Sequence, residues 1–121
     1  MSKDLSTVEH ARLRDNTDSS RFELHHAGLR LGVLHYTRLK PNRYALQHTE
    51  VYPEYQGRGV GGTMIRRVLD EIQRRNGTIT PICPFVVDFL ERTPDYNDIR
   101  DARHPGYRDR AAAEAARSRA D

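Results

Sequence analysis

The sequence predicts an α/β (α+β) fold in which a mixed, mostly antiparallel sheet carries packed helices in the order βββαβα. Three observations carry this reading. Three segments of strand character follow one another with short links between Arg21 and Val51. A glycine-rich loop then opens an amphipathic helix, and a fourth strand runs directly into a helix that begins at a proline.

The elements follow in order. Arg21 to His26 alternates, with Phe22 and Leu24 on one face and Glu23 and His25 on the other, as a half-buried strand does. Ala27-Gly28-Leu29 reads as a tight connection, and Arg30 to Leu39, carrying Leu31, Val33, Leu34 and Tyr36, as the second strand. Pro41-Asn42 marks a turn before a third strand from Arg43 to Val51. Links this short predict an antiparallel meander. Thr78 to Cys83 is the fourth strand, which a right-handed crossover would place parallel to the third. The last helix starts at Pro84, sets Phe85, Val86, Phe89 and Leu90 on one side and ends before Pro94.

The helix between the third and fourth strands has the clearest pattern. Val60, Met64, Ile65, Val68, Leu69 and Ile72 recur on one face, and Asn76-Gly77 is a stop. Charges elsewhere on it alternate in sign at four-residue spacing: Arg66 with Asp70, Arg67 with Glu71, Asp70 with Arg74, Glu71 with Arg75.

A chain of 121 residues holds one core. Residues 1–19 show no apolar periodicity and read as a flexible segment, residues 20–99 as the folded domain and residues 100–121 as a basic tail rich in Ala and Arg. Ala111 to Ala116 favours helix, but a segment so short is marginal without packing. Met1 to Lys3 is not followed by a hydrophobic run, and no stretch approaches the ~20 apolar residues of a membrane span. One cysteine excludes an internal disulfide and suits a reducing compartment, so the expected location is the cytoplasm. A net charge of +3 comes from 20 basic residues nearly matched by 17 acidic ones and spread along the chain. With no nucleic-acid-binding motif present, that balance does not point to a nucleic-acid partner.

Function centres on Val51 to Arg75. Glycine stands at 57, 59, 61 and 62, where a strand gives way to a helix. Such a loop holds phosphate: backbone N–H groups converge where no Cβ intrudes, and the helix dipole adds attraction. The spacing rejects a mononucleotide P-loop, since Gly62 is followed by Thr63 with no lysine, and Gly57-Arg58-Gly59-Val60-Gly61-Gly62 spells the dinucleotide fingerprint only when forced. What fits is Gln56-x-x-Gly59-x-Gly61, preceded by Val51-x-Pro53-Glu54-Tyr55.

At these residues the chain resembles the GNAT superfamily of acyl-coenzyme A dependent N-acyltransferases, whose Q/R-x-x-G-x-G/A segment wraps the coenzyme pyrophosphate. Gln47-His48-Thr49-Glu50-Val51 and Cys83-Pro84-Phe85-Val86 extend the likeness over roughly residues 20–98 and make it similar to a compact single-domain branch, the YjdJ-type. The resemblance implies a GNAT-like sheet and an N-acetyltransferase with acetyl-CoA as cosubstrate, an amine as acceptor and no metal. It implies a coenzyme site at Val51, Gln56, Gly57, Arg58, Gly59, Val60, Gly61, Gly62 and Thr63. The thioester carbonyl would be polarised by a backbone N–H near Val51.

Strand alternation places Tyr44, Leu46, His48 and Glu50 on one face of the third strand and Ala45, Gln47, Thr49 and Val51 on the other. An amine arrives as ammonium and must lose a proton; many GNAT enzymes use a strand carboxylate acting through water, which makes Glu50 the candidate base and His48 its alternative or orienting partner. Either residue can equally be structural, a hydrogen-bonded histidine or an ion-paired carboxylate. Cys83 stands before a helix N-terminus, where a thiol can take up the acetyl group, protonate the leaving thiolate or simply pack as a small hydrophobe. The usual leaving-group acid of the superfamily is a tyrosine on the helix after this strand, whereas here that helix offers Phe85 and Phe89, with Tyr96 beyond it. The six histidines and one cysteine show no metal-ligand spacing.

Two other readings stand beside the enzyme: an acyl-CoA-binding or sensing module with little turnover, and an interaction protein working through its basic tail. The tail can also act as an electrostatic clamp on an acidic substrate. The oligomeric state is open, since a free sheet edge can pair with itself.

Overall fold

The structure, a computed structural model, describes residues 8–120. One five-stranded sheet runs β1 (Arg12–Asn16), β2 (Arg21–His26), β3 (Leu29–Lys40), β4 (Arg43–Val51) and β5 (Thr78–Pro81) from edge to edge. β1 to β4 are antiparallel neighbours and β5 is parallel to β4. Helix α1 (Val60–Arg74) joins β4 to β5, α2 (Pro84–Arg92) follows β5, and α3 (Arg110–Ala120) ends the described chain.

The core lies between one face of the sheet and the first two helices. Met64, Ile65, Val68, Leu69 and Ile72 of α1 join Phe22, Leu24, Leu34, Tyr36, Tyr44 and Leu46 of the sheet in one cluster, which Val86, Phe89 and Leu90 of α2 extend. Each fully buried side chain of this kind contributes on the order of 2 kcal/mol. The β2–β3 link takes two left-handed residues, Ala27 (φ 52°) and Gly28 (φ 81°), whose twist matches that of the flanking strands. At the far end of α1, Asn76 is left-handed (φ 60°) and the Gly77 N–H closes on the Ile72 carbonyl at 2.8 Å, ending the helix where Asn76-Gly77 predicts.

Residues 1–19 do not read as a strand, yet residues 12–16 form β1. Only Leu13 is apolar there, and β1 is held by its ladder to β2 and by polar anchors that no local pattern announces. Arg75 is the chief anchor. Its guanidinium donates to Asp15 Oδ2 (2.9 Å), Tyr44 Oη (2.9 Å) and Glu71 Oε2 (2.7 Å), so the end of α1 is tied to both β1 and β4. Glu23, only 2% exposed, is a second anchor, accepting from Asn16 of β1, Arg21 and His25.

Of the expected charge ladder on α1, the Glu71–Arg75 rung forms. Arg74 pairs with Glu71 at three-residue spacing instead of with Asp70, and tertiary partners claim Arg66, Arg67 and Asp70. Arg67 donates to the carbonyls of Ala11 and Glu9, Arg66 lies over the rings of Phe89 and Tyr96, and Asp70 accepts from Tyr96 Oη at 2.6 Å.

The alternation expected on β4 breaks at its middle. His35 of β3 faces His48, but its neighbour Tyr36 faces Leu46, so Gln47 is an extra residue in a bulge. Tyr44 and Leu46 point into the core. Beyond the bulge, Thr49 takes that face, paired with Leu34, while His48 and Glu50 turn to the opposite face, beside His35 and Val33. His48 and Glu50 do share a face, but not the one shared by Tyr44 and Leu46.

β5 ends at Pro81, and Cys83 is the N-cap of α2. The tail is tied down as well: Asp101 N–H bonds the Ile79 carbonyl, Thr80 Oγ1 bonds the His104 carbonyl and Tyr107 N–H bonds the Pro81 carbonyl, so residues 101–107 run beside β5. Gly106 is left-handed (φ 71°) and a Cβ there would overlap the Pro81 backbone. α3 then packs on the domain, with Ala113 1% exposed and Arg110 paired to Asp88 of α2.

Candidate active site

The site begins where β5 leaves β4. Their ladder ends at Leu46 opposite Pro81, and the N–H groups of Ile82 and Cys83 both close on the Leu46 carbonyl at 2.9 Å. Past this point, among the described residues, β4 has β3 on one side and no strand on the other. A cleft of about 630 Å³ opens beside it, within the range of small-molecule sites.

One wall is the glycine loop. Gly57 (φ 77°) and Gly59 (φ 79°) are left-handed, a conformation that costs other residues about 1 kcal/mol or more. Gly59 is the N-cap of α1, and no side chain caps the first turn, which leaves the N–H groups of Val60, Gly61 and Gly62 without a side-chain acceptor. Gln56 Nε2 donates to the Val51 carbonyl at 2.9 Å and thereby ties the loop back to the end of β4. A Cβ on Gly61 would lie 2.9 Å from Phe85 Cζ, so its absence lets α2 approach α1, whereas a Cβ on Gly62 would meet open space.

Of the residues singled out in the sequence, His48, Glu50, Val51, Gln56 and Gly57 line the cleft together with the run from Gly59 to Gly62. Arg58 and Thr63 stand outside the lining, and the Val60 side chain is buried in the core, leaving its backbone as the part able to meet a ligand. Thr49, Tyr55 and Phe85 complete the lining. Thr49 was obscured by the bulge at Gln47, which exchanges the faces of the strand. Tyr55 sits in the 3-10 turn Pro53–Tyr55, for which only the proline is a local signal.

The polar groups of the far wall have distinct surroundings. Glu50 is exposed and makes no ion pair among the described residues. The His48 ring stacks on His35, centroids 5.9 Å apart and planes at 20°. Burial lowers the pKa of His35, and the neighbouring His48 and Arg21 charges lower it further against the opposing pull of Glu50, so this ring stays neutral at physiological pH. Cys83 is 2% exposed and outside the lining; its Sγ lies 3.5 Å from Thr49 Oγ1. Tyr96 is committed elsewhere, its hydroxyl bound to Asp70.

Among the described residues no helix is long and apolar enough to cross a membrane, and no group of three or more His, Cys, Asp or Glu is placed to hold a metal ion.

A mixed sheet splayed between two parallel strands, with a glycine loop and an uncapped helix end beside the splay, is a GNAT-like architecture. The solved structures bear this out: an NMR solution structure of a GCN5-like protein from Staphylococcus aureus aligns with a TM-score of 0.56 at 24% identity, over 73% of this chain and 85% of that one. The family model for GCN5-related N-acetyl-transferases matches residues 21–99, and the chain belongs to that family. No curated protein sequence matches it. Membership carries the general activity of the family, N-acetyl transfer.

Proposed function

We propose that the protein transfers the acetyl group of acetyl-CoA directly to an amine, as a compact member of its family working in the cytoplasm. The observation that carries this reading is the coincidence of the β4–β5 splay with the glycine loop, because a coenzyme needs both a phosphate cradle and a slot for its acyl arm. In this reading the pyrophosphate rests on the backbone of Gly57 to Gly62, with Arg58 adding positive charge from outside and Gln56 and Thr63 holding the loop. The thioester lies along the free edge of β4, its carbonyl polarised by a backbone N–H near Val51.

Glu50 takes a proton from the incoming ammonium, directly or through water, with His48 as orienting partner or alternative base. The freed amine attacks the carbonyl carbon, the C–S bond breaks, and the products are the acetamide and coenzyme A. Water or a hydroxyl of the lining, Thr49 or Tyr55, supplies the proton that the leaving thiolate takes up.

Cys83 packs in this reading: a thiol buried behind Thr49 has no path to the thioester without local opening. Cys83→Ala should therefore keep the acetylation rate within about threefold of the parent and cost about 1 kcal/mol of stability. Intact-mass spectra after incubation with acetyl-CoA should show no acetyl adduct. An adduct that disappears in Cys83→Ala, together with a large loss of rate, would replace direct transfer by a covalent route.

The second reading, a coenzyme-binding module with little turnover, rests on the exposure of Glu50 and His48, since an open site shields its chemistry poorly from water. Release of coenzyme A thiol in the presence of primary amines, measured against the amine-free rate, decides between the two.

A further inference from the structure

The bulge at Gln47 leaves its main-chain carbonyl outside the β3–β4 ladder, and that carbonyl accepts from Arg117 Nη2 at 3.2 Å. The Leu46 carbonyl before it receives the last two N–H groups of the β5 end. Arg117 of helix α3 therefore reaches β4 just past the point where β5 departs, and its guanidinium lies at the inner end of the splay, one residue from His48.

Among the described residues no carboxylate neutralises Arg117. Arg110, on the same helix, is neutralised by Glu114 at 2.9 Å and Asp88 at 3.8 Å. Arg117 is exposed and, among the described residues, within ion-pair distance of no carboxylate; its one hydrogen bond is to a neutral carbonyl. The guanidinium keeps most of its five donors for another acceptor. Three residues along β4, about 10 Å at the rise of a strand, stands Glu50, an exposed carboxylate with no ion-pair partner among the described residues. A cation and an anion so spaced on either side of His48 complement a molecule carrying an amine at one end and an anionic group several bonds away.

We propose that Arg117 determines acceptor specificity: the acetyl acceptor is a zwitterionic amine whose carboxylate or phosphate binds Arg117 while its amine points toward Glu50. The proposal rests on the acyltransferase reading and names its substrate class. Two donors of one guanidinium can bind such an anion in parallel, a geometry that lysine does not reproduce.

The test uses 6-aminohexanoate and its neutral amide, 6-aminohexanamide, as acceptors of matched length, with coenzyme affinity measured separately. The parent protein should use the acid with a kcat/KM about tenfold or more above the amide. Arg117→Ala should erase that preference through KM, Arg117→Lys should keep part of it, and acetyl-CoA affinity should stay unchanged in both. Equal use of the two amines by the parent, or an equal loss on both in Arg117→Ala, overturns the proposal, as does failure to acetylate either probe by protein that binds acetyl-CoA. Loss of coenzyme binding itself would instead fail the acyltransferase reading.

Discussion

Glu23→Ala is expected to lower the stability of the fold by about 3 kcal/mol, a fall of roughly 12 °C in Tm. Glu23 sits on the sheet face turned away from α1, opposite Val33, and is nearly inaccessible. Its Oε2 accepts from Asn16 Nδ2 at 2.9 Å and Arg21 Nε at 2.7 Å, its Oε1 from His25 Nε2 at 2.8 Å, and Arg30 approaches to 3.6 Å. Burial alone would raise the carboxyl pKa; the hydrogen bonds from His25, Asn16 and Arg21 and the Arg21 charge outweigh it and hold the value at about 2 instead of 4.5. A folded-state pKa below the unfolded one stabilises the fold above the unfolded value, and the contribution fades as pH falls from about 4.5 through about 2. Urea unfolding of the parent and of Glu23→Gln should therefore differ most at neutral pH and converge in strong acid. Equal stabilities at pH 7 would show that the cluster does not anchor β1 and β2.

The second large effect concerns turnover. Glu50→Gln should lower kcat by a factor of about 10² to 10³ while leaving acetyl-CoA affinity unchanged, because the amide keeps the shape of the side chain and loses its basicity. Glu50 lines the cleft, is exposed and has no ion-pair partner among the described residues, so its carboxylate is not held in a structural bond that the substitution would break. His48→Gln should cost less, since His48 stacks on His35 beside the reacting groups and orients them in the proposed mechanism. The reverse order of effects would move the base to His48. A rate untouched by both substitutions would contradict base-assisted transfer.

What the sequence made legible, and what it did not, follows from where each signal resides. α1 and α2 bury side chains at helical spacing, and β2, β3 and β4 are runs rich in apolar residues between turn signals, so these elements are legible in the sequence. The loop at Gly57 to Gly62 is equally legible because left-handed turns and close approach to a neighbour leave glycine as a mark. β1 carries no such pattern: Arg12, Arg14 and Asp15 belong to an edge strand fixed by Arg75 and by Asn16 bonded to Glu23, partners 60 and 7 residues away. The bulge at Gln47 is also silent, being a property of the register between two strands. Missing it reverses the faces of the functional half of β4, placing His48 and Glu50 with Tyr44 and Leu46 and hiding Thr49 as a lining residue. α3 is an Ala-rich segment of marginal intrinsic stability, and its place comes from contacts such as Asp109 Oδ1 capping the Ala112 N–H and Glu91 accepting from Arg110 N–H, which a helix propensity does not reveal.

The central claim is that the cleft beside β4 holds acetyl-CoA on the glycine loop, and calorimetric titration of the purified protein with acetyl-CoA and with coenzyme A tests it most directly. Saturable binding of both at one site per chain is expected, weakened about tenfold or more in Gly59→Val, where a branched side chain meets a left-handed backbone at the N-cap of α1. Heat of dilution alone from the parent protein, with neither ligand bound, would contradict the account.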